Sequence, residues 1–441
     1  MTKRDLLRRA KDLDVRLVRL QFNDIHGVTK NVAIPVAELE AALDDKVAFD
    51  GSCIEGFVRH EESDMYLAPD PRTFAVLWTP PGSPVEARLL CDVHNPDGSP
   101  FEGCTRSTLR RVLEEVTREG FSAQASAELE FFLFEHPKDG AATTFTTDRG
   151  SYFDLSPMDR GDVARCDAAM ALQDMGIHVE ATHHEVSHGQ HEIDLNAPDV
   201  LGLADAIATA RVVVKTVAAR HNLHATFMPK PFTDQDGSGL HIAQRLMRDG
   251  KNAFHDAGAP NPGSLSETGL SYIGGLLAHA RGFTAVTNPT VNSYKRLVAG
   301  YDAPAYIQWS LRAKSALIRV PQQALPEVSV ELRSPDPLCN PYLALACVLK
   351  AGLDGVKRSL APGDPVESPV TSLSDEERLN LGIEQLPASL QEAVFALDDD
   401  PLMRAALGDH SYHRLREAEL AEWESYRTQV HPWEIEAYLS M

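Results

Sequence analysis

Glu128-Leu129-Glu130-Phe131-Phe132-Leu133-Phe134 is the stretch around which the rest of the chain arranges itself. Residues i and i+2 of a β-strand face the same side. A strand here therefore stands the Glu128 and Glu130 carboxylates side by side, and the apolar run after them anchors the strand in a core. Two like charges held that close repel unless a cation sits between them. The plainer alternative is a solvated strand face.

Working toward the N-terminus, Leu6, Leu7, Ala10 and Leu13 recur at helical spacing. Val18, Leu20 and Phe22 then alternate as on a half-buried strand. Asn23 to Gly27 reads as a turn and Val28 to Ile34 as the return strand. Pro35 to Leu43 reads as a helix with proline at its start. Turn formers from Asn95 to Pro100 close this unit, and helical periodicity resumes from Thr108 to Glu119. The spacing places a boundary near residue 103, dividing a small α+β unit (1–103) from a larger one (104–441). Downstream, Ala204 to Arg220 reads as a helix, the proline-rich Ala361 to Val370 as a loop, and residues 376–440 as mostly helical. Strict βαβ alternation is absent, so the class is α+β.

A chain of 441 residues is long for a single core. With 43% hydrophobic and 24% charged residues its composition is that of a globular protein. A net charge of −22 argues against a nucleic-acid binder, which needs a basic face. No apolar run is long enough to span a membrane, and the N-terminus lacks the apolar core of a signal peptide. These features predict a cytoplasmic protein. The six cysteines are scattered without a CxxC pair, as expected of reduced thiols.

His183-His184-Glu185-Val186-Ser187-His188-Gly189-Gln190-His191-Glu192 concentrates imidazoles and carboxylates, which favours metal ligation over surface solvation. Within it, His184 to His188 fits HExxH, but that zinc signature works only on a helix. Gly189 follows at once, and the segment reads as strand and turn. Asp236-Gly237-Ser238-Gly239-Leu240-His241 is a turn whose backbone can approach a carboxylate or phosphate. Neither a Walker loop nor GxGxxG occurs. Lys295, Arg296, Arg312, Lys314, Arg319 and Arg333 form a local basic concentration, which is either an anion site or a charged surface. Glu331 and Arg333 share one strand face. Hard oxygen ligands favour Mg2+ or Mn2+, and two such metals with arginines make phosphoryl transfer the chemistry to expect.

Several longer motifs carry a resemblance. Phe49-Asp50-Gly51-Ser52-Cys53-Ile54-Glu55-Gly56-Phe57, Ala225 to Pro231, Asn288 to Arg296, Asn340 to Ala346 and Arg427 to Glu434 resemble glutamine synthetases of the short bacterial type I form, in order along nearly the whole chain. The resemblance implies a small β-grasp-like N-terminal domain and a large glutamine-synthetase-type catalytic domain. It also implies a homo-oligomer of two stacked hexameric rings, with active sites between neighbouring subunits and the Asp50 loop supplied by the adjacent chain. By resemblance, Glu130, Glu185 and Glu192 hold one metal, and Glu128, His241 and Glu331 a second. Arg296 and Arg333 grip glutamate, with Gly237, Cys53 and Tyr152 also on the substrate side. Lys314 and Arg319 face ATP. ATP phosphorylates the γ-carboxylate of glutamate, and a small amine then displaces phosphate, with Asp50 as general base and Asp302 on the closing flap.

The departures from the family pattern fall on this site. Cys53 stands where serine is usual, and Asp302 where a glutamate belongs, its carboxylate withdrawn by about 1.5 Å, one C–C bond. Lys314 and Ser329 replace arginines, Asp236 replaces an asparagine, and Arg245 replaces a small polar residue. Arg245 or Arg312 offers a compensating charge. Residues 370–374 lack the tyrosine that adenylylated members modify, and Arg59 matches a position linked to feedback. The changes near the ammonium pocket leave open a ligase for another amine, such as an alkylamine, a polyamine or a hydrazine. The lost arginines leave open a catalytically weak structural or regulatory member.

Overall fold

The amphipathic N-terminal segment forms α1 (Lys3–Asp12), capped by Thr2, whose hydroxyl accepts from the Asp5 amide. This computed structural model describes residues 1–441 except 45–46, 57–63, 80–81, 137–142, 260–262, 322–326 and 369; Arg59 lies outside the described residues. After α1 come β1 (Val15–Asn23), β2 (Thr29–Pro35), α2 (Leu39–Ala42), β3 (Val47–Asp50), β4 (Asp64–Pro69), β5 (Ala75–Val76) and β6 (Val85–His94). Only the second half of the expected 35–43 helix is α-helical; Val36–Glu38 is a 3-10 turn. These strands form a mixed sheet in the order β2-β1-β6-β4-β3, in which β1 and β6 run parallel. Its inner face closes a core around Leu6, Val18, Leu20, Leu39, Leu67 and Leu89.

The turn between β1 and β2 docks this unit on the rest of the chain. Asn340 Nδ2 donates to the carbonyls of Asp24 and Ile25 at 3.0 and 3.1 Å. Gly27 has φ +75°, and a Cβ there would lie 2.8 Å from Asn340 Cα, so both conformation and space demand glycine.

The larger unit begins with α3 (Thr105–Arg118) and the long strand β7 (Ser122–Glu135). Then follow α4 (Asp162–Asp174), β8 (His178–His184), β9 (Gln190–Asn196), α5 (Val200–Arg220), β10 (Leu223–Thr226), β11 (Leu240–Arg248), β12 (Lys251–Asn252), α6 (Glu267–Ala278), α7 (Ala280–Thr287) and α8 (Ser293–Arg296). The short strands β13 (Tyr306–Ile307), β14 (Trp309–Ser310), β15 (Ile318–Arg319) and β16 (Val330–Leu332) precede α9 (Pro341–Arg358). The expected helical C-terminus comprises α10 (Asp375–Asn380), α11 (Leu390–Asp398), α12 (Pro401–Leu407), α13 (Asp409–Arg427) and α14 (Pro432–Tyr438). The principal sheet runs β14-β15-β16-β11-β7-β9-β8, almost wholly antiparallel. Helices α3, α4 and α5 pack behind it; α9, starting on Pro341 with Asn340 as its cap, packs on α3 and α5, and α6 packs on α9. One face of the sheet is thus covered, and the other is free to carry polar side chains.

Candidate active site

Antiparallel register gathers the acids on that free face. Glu128 and Glu130 project to one side of β7. Glu128 pairs with His241 on β11 and with Asp194 on β9, and Glu130 pairs with Glu192. On the next strand His183 pairs with Glu192. On the other flank Glu331 pairs with Ala243 and with Arg319. Two groups result, each with its ligand atoms within 4.8 Å of one another: Glu128, His241 and Glu331; and His183, Glu185 and Glu192. The first is the trio expected from sequence. In the second, His183 stands where Glu130 was expected. The Glu130 carboxylate instead accepts from the Gly239 amide at 2.9 Å and Gln190 Nε2 at 3.0 Å, and lies 3.7 Å from His241 Nε2.

So much buried negative charge is unfavourable without a counter-ion. Burial, then repulsion from Glu130, Glu128, Asp194 and Glu185, pushes the Glu192 carboxyl up to about 12. Burial raises Glu130 and Glu185 to about 7, with Glu130 adding to the effect on Glu185. Glu128 differs. Burial would raise it too, but the hydrogen bond from His241 and the charges of His241, Arg333 and Arg319 win, holding it at about 2. His241 Nδ1 lies 2.8 Å from Glu128, while its buried Nε2 has no hydrogen-bond partner among the described residues. An orphaned imidazole nitrogen among hard oxygen donors carrying surplus charge fits divalent cations.

The arginines surround this cluster. Arg333 Nη1 donates to Glu331 at 2.5 Å and its Nη2 lies 3.5 Å from Asp302; Arg319 Nη1 reaches Glu331 at 3.4 Å. Arg296 is only 2% exposed, and its fork is committed to backbone: Nη1 donates to the Ser334 and Pro335 carbonyls, and Nη2 to that of Arg333. It braces the segment carrying Arg333. Space around the glycine turn is tight. A Cβ on Gly237 would meet the Pro229 carbonyl at 2.2 Å, and one on Gly239 would meet Arg296 Nη2 at 2.5 Å. Arg312 and Lys314 are exposed, so part of the basic concentration is surface. The Lys314 ammonium sits 5.7 Å from the Tyr152 ring, which stacks on Phe153 and meets His183 edge-on at 5.5 Å. The loop carrying Tyr301 and Asp302 is fastened by the Tyr301 hydroxyl, which donates to the Thr233 carbonyl at 2.7 Å, and by the Asp302 amide on Asp236 at 3.1 Å.

Asp50 and Cys53 lie elsewhere, exposed at the end of β3 and in the turn after it. The Asp50 carboxylate accepts from the Ser52 amide at 2.8 Å. Among the described residues, no hydrogen bond or ion pair joins either of them to the cluster.

Of the four closely spaced histidines, only His183 joins the carboxylates. His184 and His191 alternate to the opposite face and are fully buried. There His184 Nε2 contacts Asp148 at 3.1 Å and Nδ1 the Glu185 carbonyl at 2.6 Å, while Arg165 bridges Asp159 and His191. This network underpins the turn that presents Glu185. His188 contacts the Gly150 carbonyl, so the HExxH histidines share no helix face. Sequence reading held His183 within the histidine-rich run but outside the two ligand sets, and it missed Asp194, which pairs with Glu128; aligning the two strands around the Gly189 turn would have placed both. Beyond the cluster, a cavity of about 710 Å³ continues along the same sheet face, lined by Gln124, Ser126, Asn196, Ala243, Arg245 and Ser329.

Comparison with known proteins agrees with this geometry. The glutamine synthetase β-Grasp domain model matches residues 14–96, and the glutamine synthetase catalytic domain model matches residues 102–438. A glutamine synthetase of Clostridium saccharobutylicum is 50% identical over 100% of this chain and 99% of its own length. One of Methanosarcina mazei is 48% identical over 100% and 98%. Among solved structures, one described as a GmaS/ADP complex superposes with a TM-score of 0.89 at 32% identity, covering 99% of this chain and 100% of its own. A Plasmodium falciparum glutamine synthetase superposes with a TM-score of 0.87 at 25% identity, covering 99% of each chain. The chain belongs to the glutamine synthetase family.

Proposed function

We propose that this chain joins ammonia to the γ-carboxyl group of glutamate with conversion of ATP to ADP and phosphate, through a γ-glutamyl phosphate intermediate. The observation that carries the reading is the cluster itself: buried carboxylates on one sheet face, one of them pushed up to about 12, ringed by Arg319 and Arg333. Mg2+ or Mn2+ would be held by Glu130, Glu185 and Glu192 with His183 on one flank, and by Glu128, His241 and Glu331 on the other. Bound there, the cations neutralise charge on the transferring phosphoryl group.

The chain's own residues supply the rest. The 710 Å³ cavity takes ATP, its polyphosphate end toward the cluster and near Arg319 and Lys314. Arg333 binds a glutamate carboxylate, braced from behind by Arg296 and facing the Gly237 turn. Its present contact with Asp302, 3.5 Å and half-exposed, is weak enough to yield. Asp302 then covers the acyl phosphate against water. Asp50, supplied by a neighbouring subunit together with Cys53, takes the proton from ammonium as nitrogen attacks. Trp433, Ile435, Tyr438 and Leu439 leave an apolar C-terminal surface for a second copy to cover, in keeping with stacked rings. Among the described residues no helix is long and apolar enough to cross a membrane, in keeping with cytoplasmic work.

Half-identity with glutamine synthetases favours ammonia over a larger amine, and the assembled ligand set favours an active enzyme over a structural relative. The test is ammonium-, glutamate- and ATP-dependent glutamine formation, detected by mass spectrometry and lost in Glu331→Gln. No glutamine from metal-loaded, assembled protein would overturn the reading.

A further inference from the structure

Among the described residues that line the 710 Å³ cavity, Arg245 is the only lysine or arginine; Glu180 and Glu327 supply acid. Arg245 projects from β11 on the side that carries His241. Four residues along a strand span about 13 Å, so Arg245 stands roughly one nucleotide's length from the metal-ligating end. The register that pairs Ala243 with Glu331 and Gln244 with Val330 continues to set Arg245 opposite Ser329, whose small side chain leaves that wall open. Arg312, the other arginine positioned by sequence to compensate for Ser329, is exposed and outside this lining.

The guanidinium is held from two sides. Arg245 Nε donates to Gln124 Oε1 at 2.9 Å, and Nη1 pairs with Glu327. Gln124 steers it along the sheet face. Glu327 is 59% exposed and Arg245 30% exposed, so their pair is screened and readily exchanged for a better anion. A planar fork with one fixed and one exchangeable partner suits phosphate oxygens.

We propose that Arg245 is the residue that seats the nucleotide: its guanidinium leaves Glu327 and contacts the nucleoside-proximal phosphates of ATP, with Glu327 as the competing anion when the cavity is empty. This rests on the assignment of the cavity to ATP. The contact lies far from the transferring phosphoryl group and is made to a part common to ATP and ADP. Arg245 is therefore a positioning residue for binding, not for the chemical step.

The test is calorimetric titration of full-length, assembled protein with ADP in excess Mg2+, alongside steady-state kinetics. Arg245→Ser should weaken ADP about tenfold, the worth of one charge-assisted hydrogen bond. It should raise the KM for ATP equally, leaving kcat within about twofold and the KM for glutamate unchanged. Glu327→Gln should tighten ADP severalfold, and Arg245→Lys, which keeps charge without the fork, should fall between wild type and Arg245→Ser. Wild-type ADP binding that Arg245→Ser leaves unchanged, even with a lower Tm, would overturn the proposal alone, reducing Arg245 to a surface strap. A wild-type protein that binds no ADP would overturn the cavity assignment and the proposal with it.

Discussion

Filling the carboxylate cluster with Mn2+ at pH 7 is expected to expel about two protons per subunit. The count follows from the site. Glu192, pushed up to about 12 by burial and neighbouring acids, enters metal-free protein fully protonated at neutral pH. Glu130 and Glu185, at about 7, are each half-protonated. Ligation requires the ionised forms, so one proton leaves Glu192 and about half from each of the others. Stability moves with the same groups. A carboxylate whose folded pKa is raised keeps its proton in the native state after the unfolded chain has lost it, so stability falls as pH rises from about 4.5 to 7. Glu130 and Glu185 are 10% and 15% exposed, and each loses at most roughly 3 kcal/mol across that window. The cation should restore it, so the gain in Tm on adding Mn2+ should be larger at pH 7.5 than at pH 5.5. Calorimetric titration in two buffers of different ionisation enthalpy counts the protons directly. Glu192→Gln, near-isosteric with the protonated carboxyl but unable to ionise in the unfolded chain, should raise metal-free stability at pH 7 while cutting the release to about one and weakening the metal. Tight binding at pH 7 with no proton release would refute the reasoning.

Three further outcomes are expected. Gly237→Ala, whose Cβ would meet the Pro229 carbonyl at 2.2 Å, should shift the glycine turn and lower kcat/KM for glutamate about 10²-fold, with the Kd for ADP unmoved; steady-state kinetics beside calorimetry checks both. Asp50→Asn and Glu331→Gln should each lose at least about 10²-fold in kcat, yet hybrids made by mixing and reassembling the two variants should regain activity, because intact sites form where one chain supplies Asp50 and its neighbour supplies Glu331. Hybrids as inactive as their parents would contradict a shared site. Asp302→Glu advances the flap carboxylate by about 1.5 Å and should lower the KM for ammonium severalfold; an unchanged KM would remove Asp302 from the amine pocket.

Much of this site was legible because strands have a fixed alternation. Glu128 and Glu130 could be set on one face from their spacing, as could Glu331 and Arg333, and each pair shares a face in the structure. The HExxH match was rightly set aside on local grounds, since a glycine turn between two strands cannot present both histidines as a helix does. What local spacing could not resolve was the pairing between strands. His183 meets Glu192 only through the β8–β9 register, and His184 and His191 are lost to the opposite face by the same alternation. Arg296 illustrates a second limit: a buried arginine looks the same in sequence whether it faces a substrate or, as here, three backbone carbonyls. The small domain was readable from α1 to β2, but the expected 35–43 helix begins as a 3-10 turn at residues 36–38, where none of the three residues is buried and only Val36 packs against the core.

The most direct test of the central claim is phosphate release from ATP with glutamate and Mg2+, measured against ammonium and a panel of alkylamines, polyamines and hydrazine. Ammonium should give the highest kcat/KM, with glutamine accumulating in step with phosphate. A slow reaction with ammonium beside a fast one with another amine would contradict it and identify Cys53 and Asp302 as marks of a different amine pocket.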